Sequence, residues 1–162
     1  MTAYEPSEWT DFFVAAAGAS AALAGLVFVA VSINIDRILK LEGVPERALE
    51  TVLTLLGVVL VSLTSLMPGL SNDALGALLL VVSLSLVAVA VQINRHSHIP
   101  ADGEAHISRH FLRAMATLPV LVGAISLLAG TGGGLYWIAA AVLLATLAAV
   151  INAWVLLVEI LR

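Results

Sequence analysis

Residues 9–34 read W-T-D-F-F-V-A-A-A-G-A-S-A-A-L-A-G-L-V-F-V-A-V-S-I-N, and from Phe12 to Ile35 no residue is charged. The apolar run 12–33 matches the roughly 20 residues that a helix rising about 1.5 Å per residue needs to cross about 30 Å of hydrocarbon. Working outward, comparable runs follow at 48–67, 74–93, 111–128 and 135–160. The predicted fold class is therefore all-α, a single polytopic membrane domain with five transmembrane helices. With 61% hydrophobic residues in a chain of 162, little is left to fold outside the bilayer.

Charge orients these spans. All seven Lys and Arg fall beside the same set of span ends. Arg37, Lys40 and Arg47 lie between spans one and two, Arg95, Arg109 and Arg113 around the third connection, and Arg162 after span five. The N-terminal tail and the loops 68–73 and 130–134 carry none. Because basic flanks stay cytoplasmic, the N-terminus is expected outside and the C-terminus inside. Tyr4, Trp9, Tyr136 and Trp137 then form an outer aromatic belt, with Trp154 near the inner face. The tail before span one carries Glu5, Glu8 and Asp11 but no basic residue. That is the reverse of a secretion signal, so span one is expected to be retained.

Composition excludes several classes. A net charge of −4 offers no basic surface for nucleic acid, and the lack of Cys removes disulfides and thiol chemistry. There is no G-x-S-x-G, no H-E-x-x-H and no His inside a span, so no enzyme is expected. Five spans do not divide into equal inverted halves, which argues against a repeat-built transporter.

Local signals set the connections. Ile35, Ile38, Leu39 and Leu41 continue the helical spacing of span one, predicting a helix that runs past the membrane, with its last two turns projecting into the cytoplasm or lying on its surface. Gly43 is a stop and Pro45 a first-turn residue of the next helix. Pro68-Gly69 ends span two, and Ser71, Asn72 or Asp73 caps span three. Pro119 should kink span four. Gly130-Thr131-Gly132-Gly133-Gly134 reads as a flexible outer turn, since it lacks the Lys of a phosphate loop.

Four clusters could carry function. Asp11, Ala15, Gly18, Ala22, Gly25, Val29 and Ser32 recur every three or four residues, so they share one helix face. Small residues there let backbones approach closely. The stripe either makes span one the central packing helix of its own bundle or lines a seam or pore between subunits. On either alternative, Leu at Gly18 or Gly25 should disturb packing more than Leu at Ala24. Second, Glu5, Glu8 and Asp73 join Asp11 as an outer acidic rim, where a cation would concentrate, although acids are also permitted on any solvated face. Third, Asn34, Gln92, Asn94 and Asn152 gather at the inner end, either along a vestibule or as amides reaching water. Fourth, His96, His98, His106 and His110 lie in the inner loop, where they could hold a divalent metal, respond to pH, or be simply solvated.

The block 9–34, the P-E-R-A-L-E of Pro45–Glu50 and Pro68-Gly69 together resemble a family of small multi-pass membrane proteins from high-GC Gram-positive bacteria. The resemblance covers about the first seventy residues. Some members carry the label of modulator of a membrane AAA protease, although the larger modulator family usually has seven spans. The resemblance implies a multi-pass protein of the bacterial plasma membrane and transfers no functional residue. Two functions are therefore expected as alternatives. One is a homo-oligomeric cation channel or passive transport protein with helix one at the shared interface. The other is a regulatory or docking subunit of a larger membrane complex such as that protease.

Overall fold

The computed structural model describes residues 2–41, 43–96 and 117–161. Every regular element among them is helical. Two short 3-10 turns, Thr2–Tyr4 and Pro6–Trp9, lead into α1 (Thr10–Ile33), α2 (Ile35–Ile38), α3 (Val44–Ser65) and α4 (Asn72–His96). The described part of the next helix, α5, is Thr117–Ala129, and α6 spans Gly134–Leu161. Four stretches, Pro6–Ile33, Val44–Ser65, Asn72–Ile93 and Gly134–Val158, are long and apolar enough to cross a membrane; α5 is shorter over its described residues. Residues 111–116 of the expected fourth span, and any kink that Pro119 makes with them, lie outside the described residues.

The bundle is centred on α3, which packs against α1, α4 and α6. Half of its most apolar window is buried, against 11% for that of α1. Of the two alternatives for the stripe, the one that makes helix one the central packing helix is thus corrected. Only Phe13, Ser20 and Ala24 of α1 are buried, and they lie on a face other than the small-residue stripe. Ala24 packs with Leu55 of α3 and Ala149 of α6. In membranes small residues permit close helix packing, and this bundle uses Ala24, Gly76, Gly123, Ala124 and Ala149 for it. The expected order of substitutions is reversed within one chain, because a Cβ at Gly18 or Gly25 would meet nothing within 4 Å.

The main core joins α1, α3, α4, α5 and α6 through Phe13, Val61, Leu75, Leu79, Leu127, Leu135 and Ile138. A smaller cluster at the opposite end holds Ile38, Val44, Ala48 and Leu156. The helix that the spacing predicts to continue unbroken is interrupted just before this cluster. At Asn34 the backbone N–H donates to Val31 O at 3.2 Å, one residue short of the α-helical partner, and the side-chain Nδ2 takes the vacated Ala30 O at 2.9 Å. Such side-chain competition for a helical carbonyl bends or ends helices. The break turns α2, so that Ile38 is 1% exposed. Gly43, at φ 77°, then supplies the left-handed turn that L side chains avoid, and Pro45 enters the first turn of α3 as expected. At the other end of the hairpin Ser71 Oγ accepts from Ala74 N at 3.3 Å, which makes Ser71 the cap of α4.

Candidate functional site

Three features could support function: the stripe on α1, a closed cap at one end of the bundle, and a cavity toward the other. On the stripe, Asp11, Ala15, Gly18, Ala22, Gly25, Val29 and Ser32 are all exposed. Large apolar neighbours are exposed around it, including Leu26 and Phe28. Ser32 Oγ donates to Phe28 O at 2.8 Å, so its proton is committed to its own helix.

The cap corrects the expectation of a flexible outer turn. Ser126 Oγ donates to Thr131 O and accepts from Gly134 N at 2.8 Å. Tyr4 Oη accepts from Gly133 N at 2.8 Å and contacts Ser126 Oγ at 3.3 Å. With the Ser126 proton already used, the Tyr4 hydroxyl is the donor of that last pair. Trp137 Nε1 donates to Gly132 O at 2.9 Å, and Asn72 Nδ2 donates to Tyr4 O at 3.0 Å. Gly134 is required here, because a Cβ would stand 2.8 Å from Ala3 O and 2.9 Å from Tyr4 Cε1. Trp9 completes the cover with an edge-on contact to Tyr136, ring centroids 4.9 Å apart. The N-terminal turns thus lie across the ends of α4, α5 and α6. Glu5, Glu8 and Asp73 remain exposed around them.

The cavity, about 420 Å³, lies among α3, α4, α5 and α6. Its walls include Gly57, Val58, Val61, Leu86, Val87, Ala141 and Ala145, and its polar groups include Glu50, Thr54, Arg95, Thr117 and Asn152. Glu50 is six residues into α3, roughly 9 Å along the helix from Val44. Arg95 is exposed in the last turn of α4, so the polar side chains collect toward the end opposite the cap.

Of the four amides singled out in the sequence, Asn152 lines this cavity. Asn34 is occupied with Ala30, Gln92 is exposed, and Asn94 lies on α4. His96 is the last residue of α4, whereas His98, His106 and His110 lie outside the described residues, and with them the expected metal loop. Among the described residues no group of three or more His, Cys, Asp or Glu could hold a metal. Sequence reasoning missed Glu50, although an acid within the apolar run 48–67 was a usable signal. It also missed the Tyr4–Ser126 pairing, for which residues 122 positions apart offer none.

No family model, curated protein or solved structure matches the chain. The apolar helices make it a multi-pass membrane protein by length and composition.

Proposed function

We propose that the protein is a non-enzymatic assembly subunit of the bacterial plasma membrane, with five spans, an outer N-terminus and a cytoplasmic C-terminus, which associates through the exposed stripe of α1. The observation that carries this is the contrast between the two faces of α1. One face packs through Phe13, Ser20 and Ala24, and the other leaves Gly18 and Gly25 open. From Asp11 to Ser32 the stripe runs roughly 30 Å with only Ala, Gly and Val between. A column of that kind suits dry, close contact with a second helix, since narrow apolar passages shed water. The partner helix is α1 of a second copy, or a span of a larger complex such as the protease the sequence resemblance suggests.

A second reading, cation conduction along the seam between copies, is favoured by Glu5, Glu8, Asp11 and Asp73. All four are exposed toward the cap end, where no Lys or Arg lies among the described residues. The conduit would run between chains, because Phe13, Leu79, Leu127 and Ile138 fill the core of one chain near the cap.

Mass measurement in lipid nanodiscs tests the assembly. The expected result is an oligomer, or a complex with a larger membrane protein, that Gly18→Leu with Gly25→Leu dissociates while helix content and the folded monomer persist. A parent that is monomeric and binds nothing, or a double variant assembling like the parent, overturns the proposal. Conduction in the same preparation would show as a current that Asp11→Asn reduces at low salt, where the rim's field is least screened. An unchanged current removes that second reading.

A further inference from the structure

We propose that the cavity among α3, α4, α5 and α6 is a binding site for a single-chain amphiphile drawn from the bilayer, with its apolar tail inside and its hydrogen-bonding head at Glu50, Arg95 and Asn152. The inference does not depend on α1, which contributes nothing to the walls. Three observations carry it.

The first is size: about 420 Å³ falls within the roughly 300–1,000 Å³ of small-molecule sites, which in bundles lie between helices. The second is the chemistry of the deep walls. Gly57, Val58, Val61, Leu86, Val87 and Ala145 offer no side-chain hydrogen bond, and the one hydroxyl among them, Ser83 Oγ, is committed to Leu79 O at 2.6 Å. Water held there would lack the partners it needs, and apolar cavities of this kind stay dry or take up an apolar guest. The third is the polarity gradient along the bundle. Thr54 and Glu50 follow Gly57 toward the start of α3, Asn152 follows Ala145 and Ala148 toward the end of α6, and Arg95 stands at the end of α4. A ligand matching that gradient has an apolar chain and one polar end, which is the form of a fatty alcohol or a monoacyl lipid.

The walls also explain where such a chain would be excluded. Ala90 of α4 is half-buried and Ala145 of α6 is buried, and both line the space. A phenyl ring at either position would occupy the volume proposed for the tail.

The test uses the full chain in lipid nanodiscs and a diazirine analogue of hexadecanol as the photoprobe. Adducts mapped by peptide mass spectrometry are expected on cavity residues such as Val58 and Val87. They should be competed to saturation by unlabelled hexadecanol and lost in Ala145→Phe and in Ala90→Phe. Val81 and Leu84, exposed on α4 and not part of the cavity wall, provide the reference for labelling by bulk partitioning. Ala145 belongs to the packed core, so Ala90→Phe decides the outcome if the other variant does not fold, with the thermal unfolding midpoint as the check. A diazirine alkane without the hydroxyl should label the cavity less than the alcohol does. Cavity labelling that equals that of Val81 and Leu84, resists competition, or persists in folded Ala90→Phe overturns the proposal. Equal labelling by alkane and alcohol overturns the assignment of the head.

Discussion

Replacing Gly76 with Leu is expected to abolish the folded bundle. A Cβ at Gly76 would stand 2.9 Å from the Ala124 carbonyl oxygen, 3.0 Å from Leu128 Cγ and 3.3 Å from Leu127 Cβ. The nearest atom is backbone, so the clash cannot be relieved by a rotamer change, and α4 must move away from α5. Overpacking of a well-packed core costs about 1–3 kcal/mol even where side chains can shift. Here the displaced contact also carries Leu75, Leu79, Ala124 and Leu127, all in the main core. Thermal unfolding of purified protein should show either no cooperative transition or a midpoint far below the parent's. Leu at Ala21, which is exposed on α1, should leave the midpoint where it was. If Gly76→Leu unfolds with the parent, the close approach of α4 and α5 is refuted.

The second large effect is all-or-none and concerns orientation. The chain has no Cys, so a single introduced thiol is read against no background. Thr131→Cys should react completely with an impermeant thiol reagent applied outside intact cells, and Asp36→Cys should not react until the membrane is opened. Both parent residues are exposed, and neither takes part in the core. Thr131 belongs to the cap with Tyr4, Ser126 and Trp137, while Asp36 sits on α2 beside the cluster of Ile38, Val44 and Leu156. Arg37, Lys40, Arg47 and Arg95 lie at this second end, the arrangement that cytoplasmic retention of basic flanks requires. The reverse labelling pattern would refute the proposed orientation and, with it, the assignment of the acids to the outer face.

The elements differ in how strongly the local sequence dictates them. Four long apolar runs, the Gly43-Pro45 turn, the Pro68-Gly69 hairpin and a cap for α4 among residues 71–73 were legible, because each depends on hydropathy or backbone preference within a few residues. The break at Asn34 was not. Its cause is local, but spacing alone favoured continuation, and Ile38 gains its burial only when Val44, Ala48 and Leu156 converge on it.

The stripe on α1 marks the limit most clearly. Periodicity shows that Asp11, Ala15, Gly18, Ala22, Gly25, Val29 and Ser32 share a face, since 3.6 residues per turn is a property of the helix itself. Which face the rest of the chain covers is a property of the neighbours. In lipid both faces of such a helix are apolar, so hydropathy cannot separate the packed side from the open one. Only the tertiary structure decided that Ala24 is covered by Leu55 and Ala149, while Gly18 and Gly25 are left open. The same holds for the cavity, whose walls come from four helices, and for the cap, where a tyrosine near the N-terminus meets a serine at the end of α5. Apolar span length and the turns at Gly43 and Pro68-Gly69 were therefore set by the sequence within each run, whereas the central helix, the cap and the cavity arose from contacts between residues far apart in the chain.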